Sequence, residues 1–241
     1  MVTEDTVYQG RVRLVQPEAG FRAGTDSMLL AAALQAPAKG GEVLELGCGC
    51  GGALLPAAYR LSATVILGVD SDEQMVTLAQ RGVMLNGFDG RVSAEQGEAS
   101  EWVRGHENRF DLVFANPPYF EPGRISEPGE GKAGAYLESL DLAGWVKAMV
   151  FAAKPRAPIV MIHRAAELAR ILTAFDRQTG EVAVLPIASK PDEVARRVLV
   201  RGRKGLKRGP VSLLAPLVTH LEDGSPSPAL EAVRRGEGIA W

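Results

Sequence analysis

Short apolar runs alternate with helical stretches along most of this chain, and that alternation constrains its fold more than any other feature. Residues 42–46, 64–69, 91–96, 110–115 and 158–162 read as strands. Helical stretches separate them: one running to Arg60, one over 72–85, a short one after 96, and further ones over 140–153 and 165–175. Strand–helix–strand repeats close as a parallel sheet with helices packed on its faces. A run such as Phe110-Asp111-Leu112-Val113-Phe114-Ala115, apolar almost throughout, suits a strand buried on both faces. Two last strands, 182–188 and 197–200, are joined by a link with no room for a helix, so one strand near the C-terminus runs antiparallel. The expected fold is α/β: a doubly wound, mostly parallel seven-stranded sheet. Three parts are expected. An N-terminal arm and helix span 1–40, with 6–20 reading as a hairpin or extended arm and Thr25, Asp26 and Ser27 offering N-cap oxygens. The main domain spans 41–208, and an extension packed on it spans 209–241.

The link after the first strand is Glu45-Leu46-Gly47-Cys48-Gly49-Cys50-Gly51-Gly52. Gly47, Gly49 and Gly52 satisfy the dinucleotide pattern G-x-G-x-x-G, which marks a Rossmann-like nucleotide site. Asp70 ends the second strand, where a carboxylate can accept from ribose hydroxyls. These features alone fit a nicotinamide enzyme as well as an adenosine-binding transferase. For Asp70 the bland alternative is a helix cap, and for Glu98 an exposed acid in a polar loop.

At the carboxyl end of strand 110–115 stand Asn116-Pro117-Pro118-Tyr119. Open α/β sheets bind ligands at that edge. Two prolines stiffen the turn and supply no N–H, so its carbonyls face outward. Asn116 adds a second acceptor and Tyr119 a flat face, which together suit a planar group bearing an NH2. The following segment, 120–135, carries four glycines and two prolines and reads as a long loop beside the site.

Composition excludes several classes. With 46% hydrophobic residues and a formal net charge of −2, the chain is globular and has no global attraction for nucleic acid. Any such contact needs a local patch. Residues 1–10 lack the basic start and apolar region of a secretory signal, and no apolar stretch approaches the length of a membrane span. A cytoplasmic location without membrane contact is expected. Cys48 and Cys50 are too close for an internal disulfide and have too few partners for a metal site.

Taken together, E-x-G-x-G-x-G at Glu45–Gly51, Asp70, and Asn116–Tyr119 resemble the class I methyltransferases that act on amino groups. Further segments are similar to the bacterial valine-tRNA (adenine-N6) methyltransferase family: Phe21-Arg22-Ala23-Gly24-Thr25-Asp26-Ser27, Ile162-His163-Arg164-Ala165, the run Ala195–Gly205, and Leu214-Ala215-Pro216-Leu217-Val218. The glycine-rich stretch 123–134 departs from that family. The resemblance implies S-adenosylmethionine as cofactor, S-adenosylhomocysteine as product, and methylation of adenine N6 in tRNA(Val) next to the anticodon. It implies cofactor contacts from Thr25, Asp26, Glu45, Leu46, Gly47, Gly49, Gly51, Asp70, Gly97, Glu98 and Asn116, and a catalytic set of Asn116, Pro117, Pro118 and Tyr119. Phe120 is a possible second wall for the base. His163 is expected to be structural or to touch RNA.

Rival readings remain at this stage. A glutamine-N5 protein methyltransferase uses the same turn but commonly carries a long helical domain in front. An rRNA guanine-N2 methyltransferase often has Phe where Tyr119 stands. A DNA adenine methyltransferase needs a recognition domain for which no insert here is large enough. A nicotinamide oxidoreductase leaves Asn116–Tyr119 unexplained, and a silent RNA-binding adaptor has no need of Asn116. For RNA, strand direction chooses between two basic clusters. If the last strand is antiparallel, Arg196 and Arg197 start it on the catalytic rim, with Lys190 before them and Arg164 nearby. Arg201, Arg203, Lys204, Lys207 and Arg208 then leave on the opposite edge.

Overall fold

The computed structural model describes residues 1–19, 22–37, 40–119 and 140–241. The expected loop after Tyr119, with Phe120, and the aromatic at position 21 lie outside the described residues. Hairpin strands β1 (Val2–Val7) and β2 (Val12–Pro17) form a small sheet of their own, followed by α1 (Thr25–Ala33). Alternation then sets in: β3 (Glu42–Leu46), α2 (Leu54–Arg60), β4 (Val65–Asp70), α3 (Glu73–Leu85), β5 (Val92–Gln96), α4 (Ala99–Trp102), β6 (Leu112–Ala115), α5 (Leu142–Ala152), β7 (Pro158–Arg164), α6 (Leu168–Asp176). Strands β8 (Thr179–Ala188) and β9 (Arg197–Lys204) follow with no helix between them. Short strands β10 (Ser212–Leu213) and β11 (Leu217–Val218) and helix α7 (Pro228–Arg234) complete the chain.

Strand order is β10-β8-β9-β7-β6-β3-β4-β5, with β11 also on β8. All pairings in this sheet are parallel except those of β9, which is antiparallel to both β7 and β8. The α/β fold with one antiparallel strand is as expected. The strand number differs: among the described residues the sheet has nine strands rather than seven. Both extra strands come from the C-terminal segment and lie along the outer side of β8. They satisfy an edge that would otherwise present unpaired backbone groups, through bonds such as Leu214 N–H to Val184 O and Thr219 N–H to Ala188 O.

Two apolar layers sandwich the sheet, α1–α3 against one face and α4–α6 against the other. Leu44, Leu46, Val113 and Phe114 are fully buried, consistent with strands covered on both faces. Asp72 caps α3 through bonds from the Gln74 and Met75 N–H groups, and Asp141 caps α5. At α1 the expected cap fails: the N-cap is Gly24, with no side-chain bond, because the Asp26 carboxylate is engaged elsewhere. The hairpin is tied to the segment before α1 by Asp5, which accepts from Thr3, Gln16 and Arg22, while the Gln16 side-chain oxygen accepts from Ala23 N–H. At the other end Trp241 donates its indole N–H to Ala33 O and lies under the Arg201 guanidinium.

Candidate functional site

The parallel register brings the ends of β3, β4, β5 and β6 to one edge. Leu46 pairs with Val69 and with Ala115, and Asp70 pairs with Gln96. Helix α2, which follows β3, packs on one face and α5, which follows β6, on the other, so the crevice between β3 and β6 is the switch point at which such sheets take ligands.

The glycine loop hugs the end of β4. Gly47 and Cys48 both donate to Val69 O, at 2.7 and 3.0 Å, and Gly49 N–H donates to Asp70 Oδ2 at 2.7 Å. Gly47, Gly49 and Gly51 have φ of +72°, +52° and +88°, a region that disfavours side chains. At Gly47 a Cβ would also meet the Trp145 ring at 2.9 Å, so α5 supports the loop from below. The other Asp70 oxygen accepts from Asp72 N–H at 3.0 Å. Burial raises the Asp70 pKa, and the backbone N–H groups only partly offset this. Asp70 is therefore not the helix cap; Asp72 is. Its oxygens keep free lone pairs toward the crevice.

Glu45 and Leu46 are placed differently from a contact surface. Glu45 is 1% exposed, one of its oxygens has no hydrogen-bond partner, and burial followed by the charge of Asp70 pushes its pKa well up. It sits beneath the loop rather than on it. Leu46 is fully buried, so only its backbone could reach a ligand. Gly97 and Glu98 follow β5, as expected: a Cβ at Gly97 would strike Trp102, and Glu98 is exposed at the start of α4. Thr25 is exposed.

Asn116 is partly exposed, Pro117 is buried, and among the described residues nothing donates to the Pro117 carbonyl. The Tyr119 hydroxyl lies 2.9 Å from Asp26 Oδ2 and 3.3 Å from Asn116 Oδ1. Its pKa is raised by burial and by the Asp26 charge. Arg197 Nε donates to the same Asp26 oxygen at 2.7 Å. The Arg197 and Arg164 guanidiniums lie over the Tyr119 ring, at 5.0 and 5.1 Å from its centroid. The His163 ring meets the Tyr119 edge at 4.8 Å.

Three of the expected residues are engaged within the protein itself. Asp26, expected at the cofactor, is bonded to Tyr119. Arg197, expected on RNA, is ion-paired inside the site. His163 is 3% exposed and, among the described residues, neither ring nitrogen has a hydrogen-bond partner, which agrees with the structural one of its two expected roles; burial lowers its pKa. Arg196 is exposed and Lys190 reaches the Glu222 carbonyl. Register places Arg197 opposite Arg164 and Arg203 opposite Pro158, so the conspicuous basic cluster does lie toward the opposite edge. There Arg203 faces Glu181, and Lys204 donates to Asn108 and two backbone carbonyls. Strand direction read from the sequence already places Arg164 and Arg197 on this rim; that Asp26, Tyr119 and His163 join them depends on packing between segments far apart in the chain.

Among the described residues no group of three His, Cys, Asp or Glu is arranged to hold a metal, and no helix is long and apolar enough to cross a membrane.

An α/β sheet of this order, with a glycine loop after its first parallel strand and Asn-Pro-Pro-Tyr after its fourth, defines the class I fold of S-adenosylmethionine-dependent methyltransferases. Solved structures agree on the fold. A predicted O-methyltransferase from Agrobacterium tumefaciens superposes with a TM-score of 0.74 at 22% identity, covering 89% of this chain and 98% of that one. The tRNA (m1A58) methyltransferase of Aquifex aeolicus superposes with a TM-score of 0.55 at 16% identity, covering 80% and 72%. The family described as "Methyltransferase domain" matches residues 43–126. The tRNA1(Val) (adenine(37)-N6)-methyltransferase of Edwardsiella ictaluri is 30% identical over 189 residues, 76% of this chain and 74% of that protein. The chain belongs to that tRNA1(Val) (adenine-N6)-methyltransferase family. Its namesake in Erwinia tasmaniensis is 35% identical over 122 residues, and that match spans 50% of this chain and 49% of the relative. The first relatives are thus matched over about half their length.

Proposed function

We propose that this protein transfers a methyl group from S-adenosylmethionine to the exocyclic N6 of an adenosine in RNA, with tRNA(Val) next to the anticodon as substrate. The observation that carries the reading is the pairing of β3 with β6, which sets the glycine loop beside Asn116–Tyr119 at one sheet edge. The cofactor fits the donor set: three left-handed glycines leave the loop backbone open to close approach, and Asp70 ends β4 with acceptor capacity for ribose hydroxyls. Gly97, Glu98 and the N-terminal part, 1–40, complete that side of the site. The bound cofactor supplies an already activated methyl group.

The chain's own task is then positioning. The Asn116 side-chain oxygen and the Pro117 carbonyl accept hydrogen bonds from the target NH2. They orient its nitrogen for in-line attack and stabilise its developing positive charge. Tyr119 presents an aromatic ring with two guanidiniums lying over it, planar groups suited together to an electron-rich base. A stacked adenine must first be splayed out, which costs a few kcal/mol. Arg196, Lys190 and Arg164, at or near the same rim, contact the RNA backbone, and the reaction takes place in the cytoplasm.

Labelled cofactor incubated with total bacterial RNA, followed by nucleoside mass spectrometry, tests the reading. N6-methyladenosine confined to a valine tRNA is the expected product. N2-methylguanosine, or label only in protein, would replace it with the corresponding rival.

A further inference from the structure

We propose that Asp26 and Arg197 form a brace that fixes the orientation of Tyr119, which makes both of them positioning residues for the acceptor base. The inference rests on the functional reading above, because it concerns the plate on which the base is received. One atom, Asp26 Oδ2, accepts both the Tyr119 hydroxyl at 2.9 Å and Arg197 Nε at 2.7 Å. The three residues come from α1, from the turn after β6 and from the start of β9, so the brace joins segments that no local structure holds together. Side-chain exposures of 32% for Arg197 and 27% for Asp26 place the ion pair in a partly desolvated setting, where it is screened less than a surface pair.

A tyrosine at the end of a turn can swing about its χ angles, and a swinging plate receives a base in many poses. Here the hydroxyl is tied at its far end, His163 abuts the ring edge, and the Arg197 guanidinium lies over the ring. The plane is therefore set before any base arrives, which is the condition for an effective near-attack geometry. The same geometry argues against the two simpler roles. Asp26 Oδ2 already has two donors, and α1 leaves that carboxylate free of capping duty. Arg197 spends Nε on Asp26 and a further N–H on the Arg196 carbonyl, so a phosphate would have to compete with a carboxylate already in place.

The test is a double-mutant cycle between Asp26→Ala and Tyr119→Phe, measured three ways. Turnover of RNA should fall about 10- to 100-fold for each single variant. The double variant should be no more than about three-fold worse than Asp26→Ala alone, as for groups acting through one contact. Calorimetry with S-adenosylhomocysteine should show affinity within about three-fold of the parent for both variants, and Arg197→Gln should leave the salt dependence of RNA binding unchanged while lowering turnover. Loss of S-adenosylhomocysteine affinity matching the loss of turnover in Asp26→Ala would return Asp26 to the cofactor and overturn the brace. Multiplicative effects, or a flatter salt dependence in Arg197→Gln, would overturn it as well. Melting temperatures of the same four proteins, without substrate, should also be non-additive. Because they need no acceptor, they decide on the brace even if the parent protein methylates no RNA and the functional reading fails. If Asp26→Ala does not fold, Asp26→Asn, which keeps shape but loses the charge, takes its place in the cycle.

Discussion

Asp70→Asn separates two duties that one carboxylate performs. In the folded chain its oxygens accept Gly49 N–H at 2.7 Å and Asp72 N–H at 3.0 Å, and the proposed function has the same oxygens accept from the cofactor ribose. Asparagine keeps one acceptor and turns an NH2 toward the other position. The Asp72 bond is exposed and water replaces it, whereas the Gly49 bond is partly buried. The acceptor that asparagine keeps turns to Gly49 N–H, so that bond loses only its charge assistance, which should cost about 1 kcal/mol, or about 2–4 °C in melting temperature for a chain of this size. Loss of one charge-assisted bond to the ribose, about 1.5–3 kcal/mol, should weaken S-adenosylhomocysteine binding about 10- to 150-fold. The assay is calorimetry well below the melting point of the variant, paired with thermal melts of the unliganded protein. An unchanged affinity beside a lowered melting temperature would show that Asp70 only staples the glycine loop, and the cofactor placement argued from it would be refuted.

Asn116→Ala should lower turnover by at least about 100-fold while S-adenosylhomocysteine affinity stays close to the parent value, since the proposed function has Asn116 accept from the target NH2; near-parental turnover would remove it from the chemistry. His163 offers a pH signature. Its folded pKa lies below 6.5 because of burial, with Arg164 and Arg197 adding to the effect. The unfolded chain therefore takes up the proton first, and this contribution to stability is complete above pH 6.5 and is lost as pH falls below it. Melts from pH 7.5 to 5.5 should drop less in His163→Phe than in the parent, and parallel curves would show that the imidazole does not titrate as buried. On RNA, Arg196→Gln with Lys190→Gln should weaken binding and flatten its salt dependence, whereas Arg203→Gln with Lys204→Gln should do less. Filter binding across a salt series gives both, and equal effects would mean that RNA spreads far beyond the catalytic edge.

The sequence by itself determined the layers and the edge on which the site lies. Apolar runs such as 110–115 can be satisfied only between two helical layers, and strand–helix alternation places every parallel strand's carboxyl end on one side. Glycines at 47, 49 and 51 and the prolines at 117 and 118 carry their backbone consequences locally, so the loop and the turn were legible without coordinates. Asp72 as the cap of α3 is equally local in the structure, although the sequence reading had weighed Asp70 for that duty. What the tertiary structure decided was which charges meet. Neighbours in sequence make Asp26 a helix cap or a cofactor ligand, and strand direction brings Arg197 to the catalytic rim as a phosphate ligand, but neither argument shows that the two meet. Their pairing across 171 residues depends on β9 running antiparallel into the sheet, and on Tyr119 reaching back to α1. The edge strands β10 and β11 were hidden for a related reason: two residues each carry no periodicity, and they exist only because β8 needs partners on its outer side. Local backbone chemistry is written in short stretches of chain, whereas an ion pair or an edge strand is selected by what the rest of the fold leaves unsatisfied.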